Sequence, residues 1–185
     1  VVPVTRLDDV VDDDPATTSL REAVIWANAQ DEPVTIELGA GDLVLSDRLL
    51  ILGDVTVIGA GECLTTVSTR GDRLFSVSPG GRLALEAMTL SGARFPTSGP
   101  PGGAVAVEDG SLALNRVEVE GFWYRSDERF RTDQKLGAAS YRPVEGGAIF
   151  ASGGTIDITD SSFRDNKALE GAAINLQDGA ELSVE

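Results

Sequence analysis

Five acids in the second half of the chain have the residue type for paired-carboxylate chemistry. Asp157, Asp160 and Asp165 lie in one stretch, and Glu108 and Asp109 fall one repeat earlier. Glycoside hydrolysis needs two carboxyl groups held at a set separation across a cleft, one giving a proton and the other attacking or activating water. The sequence contains no histidine, which removes the commonest general base and the commonest zinc ligand. Neither a carbohydrate-hydrolase signature nor an Arg-x-Pro-x-x-Arg-like lyase signature accompanies the acids. They read better as solvated acidic corners, and the chain leans towards a non-enzymatic role.

Three other groups invite a functional reading. The acidic run at 8–14, DDVVDDD, could offer several oxygens to calcium, but its spacing is not that of an EF-hand loop. A flexible acidic lead-in is the reading preferred, with no cofactor expected and calcium as the alternative. Arg21 and Glu22 are explained by helix capping and a salt bridge or carbonyl bond, without catalysis. The segment 122–142 holds five of the ten aromatic residues and five of the fifteen basic ones, and carries +2 on a chain of net charge −15. Phe122, Trp123, Tyr124, Arg125, Arg129, Phe130, Arg131, Tyr141 and Arg142 form the candidate partner-contact set, because aromatics with arginine make up interaction hot spots. A loop folded back over the repeats is the plainer reading.

These residues need a frame, and the sequence describes one. Ser19-Leu20-Arg21-Glu22 fits a capping box, with Ser19 as N-cap and Glu22 reaching back. Leu20, Ala23, Val24 and Ala27 then fall on one stripe, widened by Ile25 and Trp26, so a helix of about three turns is expected before Pro33. After Pro33 the apolar period changes to two, in short runs separated by Gly, Asp, Ser or Pro.

The later part repeats itself. GGAVAVEDGSLALNRVEVEG (102–121) aligns with GGAIFASGGTIDITDSSFRDN (146–166), and GAAINLQDGAELSVE (171–185) matches the start of both. LFSVSPGGRLALEAMTLSG (74–92) is an earlier copy. Leu83, Leu112, Ile156 and Leu182 become equivalent, and 93–101 and 122–142 become insertions. A period of roughly 20–30 residues with short strands favours a β-solenoid over a sandwich, whose hairpin turns are scarce here. The expected fold is all-β: a right-handed single-stranded parallel β-helix with an N-terminal amphipathic capping helix. Residues 1–33 form the acidic segment and cap, and 34–185 the coils. The helix acts as a lid on the open first coil, through Ser19, Leu20, Arg21, Glu22 and Val24.

Ser19-Leu-Arg-Glu-Ala23 behind an Asp-rich stretch, with the coil signature at 146–166 including Ser162, Phe163 and Asn166, resembles the CSLREA-type proteins, bacterial extracellular right-handed parallel β-helices. Thr18 stands where that family usually has Cys. The resemblance implies a secreted or cell-surface location and a structural or adhesive role.

The remaining inferences come from composition. One cysteine, Cys63, leaves no intramolecular disulfide to form. The charge disfavours nucleic acid, and no apolar run approaches the roughly 20 residues of a membrane span. VVPVTRLDDV lacks the basic and apolar regions of a signal peptide, so any leader is expected to have been removed. Glu181-Leu-Ser-Val-Glu185 stops within a repeat, which suggests a fragment or a head-to-tail contact with another copy, hence a filament. A surface protein or a polysaccharide is the other partner class. The alternative function is a carbohydrate-active enzyme or sugar-binding module.

Overall fold

The computed structural model describes residues 1–12, 14, 16–70, 73–92, 94–95, 102–124, 146–168 and 171–185, with the backbone alone for Arg94, Phe95 and Tyr124. Among them is one helix, α1 (Leu20–Ala27). In chain order the strands are β1 (Val2–Pro3), β2 (Val34–Glu37), β3 (Gly41–Leu45), β4 (Leu49–Ile51), β5 (Asp54–Ile58), β6 (Thr65–Thr69), β7 (Phe75–Val77), β8 (Arg82–Ser91), β9 (Arg94–Phe95), β10 (Val105–Glu108), β11 (Ser111–Glu120), β12 (Trp123–Tyr124), β13 (Ile149–Ser152), β14 (Thr155–Thr159), β15 (Ser162–Arg164), β16 (Ile174–Gln177) and β17 (Glu181–Val184).

The fold is all-β with parallel sheets. One sheet follows β1-β2-β5-β8-β11-β14-β17, with β3, β6 and β15 added beside it. The second runs β4-β7-β10-β13-β16, and β9 pairs β12 in a small third sheet. Parallel neighbours cannot be joined by a tight hairpin. From β2 on, the chain reaches each parallel neighbour in these two sheets by way of a strand in the other; a repeat gives the first sheet either two short strands, as β2 and β3, or one long one, as β8, and gives the second sheet one.

The registers stack equivalent residues. Val34, Val55, Leu83, Leu112, Ile156 and Leu182 lie in one column, and Ile36, Val57, Leu85, Leu114, Ile158 and Val184 in the next. Leu49, Phe75, Val105, Ile149 and Ile174 form a column in the second sheet. These columns are buried along most of their length and form the core. At the β16/β17 end, Leu182 is 41% exposed and Val184 66%.

Three expectations are corrected. The expected short runs are not all separate strands: 83–85 and 88–90 belong to one, β8, whose bend is a single left-handed residue, Ala87 at φ 53. Arg116 (φ 54) and Asp160 (φ 48) occupy the same place in the next two repeats. Strand β6, Thr-Thr-Val-Ser-Thr, went unrecognised because its inward residues include two threonines. Thr65 pays for burial by donating to the Gly39 carbonyl (2.9 Å) while accepting from the Ala60 N–H (2.8 Å). The helix is shorter than three turns, and Ile25 and Trp26 do not widen its apolar stripe: they are 55% and 51% exposed.

The capping box is present in full: the Glu22 N–H donates to Ser19 Oγ, and the Ser19 N–H donates to Glu22 Oε2. Leu20, Ala23, Val24 and Ala27 are buried against the core, and the helix touches β2, β4 and β5. The edge of β2 is paired by β1 rather than by the helix, with Val2 opposite Ile36 and Pro3 opposite Glu37. Pro3 has no N–H, which suits an edge strand.

Candidate functional site

Residues 1–22 carry the densest polar organisation described. Arg21 lays its guanidinium fork on Asp9, with Nε to Oδ1 at 2.7 Å and the second nitrogen to Oδ2 at 2.8 Å. It also donates to the carbonyls of Asp47 and Arg48 in the turn between β3 and β4. Asp9 Oδ2 accepts from the N–H and hydroxyl of Ser46 as well. The Asp9 side chain is 6% exposed. Burial pushes its carboxyl up, but the Arg21 fork and the two Ser46 bonds outweigh that and hold it below the ordinary carboxylate value.

A second arginine organises the outer part. Arg6 pairs with both oxygens of Asp8 and with Asp12 Oδ2 at 2.6 Å. The Asp12 N–H donates to Glu22 Oε1 at 2.8 Å, and the Ser19 hydroxyl donates to the Val10 carbonyl at 2.6 Å. The Arg6 bond holds the Asp8 carboxyl low. The Asp14 N–H, and then Arg6, do the same for Asp12, and the N–H groups of Asp12 and Ser19 do so for Glu22. Asp8, Asp9, Asp12 and Asp14 of the acidic run are thus hydrogen-bonded within the chain, and among the described residues no group of three or more acids or cysteines is placed to hold a metal ion. An open depression of about 460 Å³ lies beside it, lined in part by Asp12, Asp14, Glu22 and Trp26.

Three of the five candidate catalytic acids fall at bends. Asp109, Asp160 and Asp165 have φ of 48, 48 and 51°. Aspartate tolerates this left-handed conformation better than most residues with a side chain, so a backbone role accounts for their type and spacing. Asp109 aligns with Gly153, and Asp165 with Gly121, where glycine meets the same demand. Glu108 ends β10, and Asp157 stands on the outer face of β14.

The partner-contact set divides. Phe122 is fully buried, so it is a core residue and not a contact. Asn166 explains why: its Oδ1 accepts from the Phe122 N–H (3.1 Å) and its Nδ2 donates to the Val119 carbonyl (2.9 Å), drawing the chain inward there. Trp123 is 37% exposed, with Lys167 Nζ 5.2 Å from its ring centroid. Tyr124 lies on β12 opposite Phe95. Arg125, Arg129, Phe130, Arg131, Tyr141 and Arg142 lie outside the described residues, as does most of both insertions. No protein-family model, curated protein or solved structure matches this chain.

Residues that sequence reasoning missed include Asn28 and Ser46. Asn28 donates to the Leu50 carbonyl (2.7 Å) and accepts from the N–H groups of Leu52 and Gly53, tying the far end of α1 to the start of the β4–β5 turn. A polar residue just past a helix is a weak signal, and the partner is more than twenty residues away.

Proposed function

We propose that the chain is one right-handed single-stranded parallel β-helix of the CSLREA type, serving outside the cell as a non-enzymatic structural or adhesive module that associates head to tail. The observation that carries this is the set of aliphatic columns, in register from Val34 to Leu182 and ending on β17 with Leu182 and Val184 exposed. Where no further residues of the native chain cover β17, its edge and exposed aliphatic side chains take a further parallel strand readily. In this proposal the occupant is a second copy. The basic, aromatic segment 122–142 on a chain of net charge −15 supplies complementarity between copies.

Sedimentation velocity on the full native protein tests this. Concentration-dependent chains of copies, abolished by Leu182→Lys, are expected. Dispersed monomers at every concentration would overturn the proposal, as would a native chain whose own further residues cover β17. Binding or cleavage in a screen of acidic and neutral polysaccharides would favour the carbohydrate-active alternative.

A further inference from the structure

We propose that residues 1–12 are an acid-releasable strap that guards the β2 edge, latched to the body by the carboxylates of Asp9 and Glu22 and folded internally by those of Asp8 and Asp12. The geometry separates what holds the strap from what holds the rest. Its apolar hold is slight, since Val2 and Val4 are only partly buried against the core. Its pairing to β2 is short: Val2 and Pro3 in register, and the Val4 N–H to the Glu37 carbonyl at 2.9 Å. The remaining hold is largely charge-assisted. Asp9 anchors the strap to Arg21 of the helix and to Ser46, Arg6 folds it through Asp8 and Asp12, and Glu22 accepts the Asp12 N–H.

Protonation removes the acceptor charge from each of these bonds. The charged or titratable residues around the latch are Arg6, Asp8, Asp12 and Asp14 in the strap, Arg21 and Glu22 in the helix, Asp47 and Arg48 in the β3–β4 turn, and Glu37 on β2. The sign is set by carboxyls held below their ordinary values of 3.8 for Asp and 4.5 for Glu. Stabilisation from them is complete above those values and is lost as the pH falls through the lower folded ones. The latch is shut at neutral pH and opens only as the pH falls below the ordinary carboxylate range. The aliphatic columns contain no titratable side chain, so they stay packed. Opening leaves β2 as a bare parallel edge, the template for strand addition that β1 otherwise occupies. Release takes place in a monomer as in an assembly.

Hydrogen–deuterium exchange of the full chain from neutral pH down to full protonation of its carboxylates, corrected for intrinsic rates, tests this. Peptides covering 1–12 and β2 should lose protection as the latch carboxylates are neutralised, while 105–120 keeps its own. Asp9→Asn should bring the loss to neutral pH, whereas Glu118→Gln, an acid bonded to Arg164 away from the strap, should not. A strap that stays protected after the chain's carboxylates are protonated, or loss of strap and core together in one transition, would overturn the proposal. The wild-type series decides the matter even where the Asp9 variant folds poorly.

Discussion

Leu112 and Leu182 occupy the same column but different environments, so one substitution made at both sites measures what the column contributes. Leu112 is 1% exposed and stands between Leu83 and Ile156. Trimming it to alanine removes three carbons, about 2.4 kcal/mol of transfer free energy at about 0.8 per methylene. A residual cavity adds to this, because the neighbouring strands are fixed by their ladders, giving about 3 kcal/mol in all. Leu182 is 41% exposed and has β14 on one side only. Its loss forfeits about half of the transfer gain and encloses no cavity, so about 1 kcal/mol is expected. The difference of about 2 kcal/mol corresponds to roughly a thirtyfold change in the folding constant. Urea unfolding should show a clear fall in midpoint for Leu112→Ala, a small one for Leu182→Ala, and the same slope for both. Equal losses at the two sites, or a loss below about 1 kcal/mol at Leu112, would refute the argument that the aliphatic columns are a packed interior.

Two further substitutions test the corners. Asp160→Gly should change stability by no more than about 0.5 kcal/mol, because glycine takes a φ of 48° without strain, whereas Asp160→Val should cost about 1–2 kcal/mol. Thermal melts compare them, and equal melting points would mean that the bend makes no demand on residue type. Asn166→Ala leaves the Phe122 N–H and the Val119 carbonyl without that partner and should cost about 1–3 kcal/mol. An unaffected melting temperature would show that Asn166 does not hold Phe122 in place.

Much of the frame was legible because its determinants are local or repeated. Ser19 and Glu22 lie three residues apart, so the capping box could be read from the sequence alone. Leu83, Leu112 and Ile156 recur behind matching Gly-rich segments, so their equivalence followed from alignment. Strand β6 was missed because Thr65 and Thr69 face inward in a run that looks polar, and only the Gly39 carbonyl and Ala60 N–H make the burial of Thr65 affordable. The acids at 109, 160 and 165 were legible as corners, yet their type looked open to chemistry until φ was known. Aspartate serves both purposes, and sequence spacing cannot separate a left-handed bend from a carboxylate pair.

The N-terminal segment shows the opposite limit. A run of aspartates next to sparse apolar residues has the composition of a solvated tail, and read locally it gives no reason to fold. What orders it is non-local: Asp9 meets Arg21 twelve residues on and Ser46 thirty-seven residues on. Each exposed pair in such a network is worth little alone. Asp9 differs because its side chain is nearly buried and its oxygens are shared between an arginine fork and two donors on Ser46. Breaking a pair in that setting strands a charge out of water, which costs far more than the pair gains. The same asymmetry makes a segment with little apolar area hold firmly at neutral pH and makes its hold depend on charge. Arg21 could be assigned a salt bridge from the sequence, but its partner could not be chosen among the acids at 8, 9 and 12–14, and that choice turns an acidic tail into a clasp.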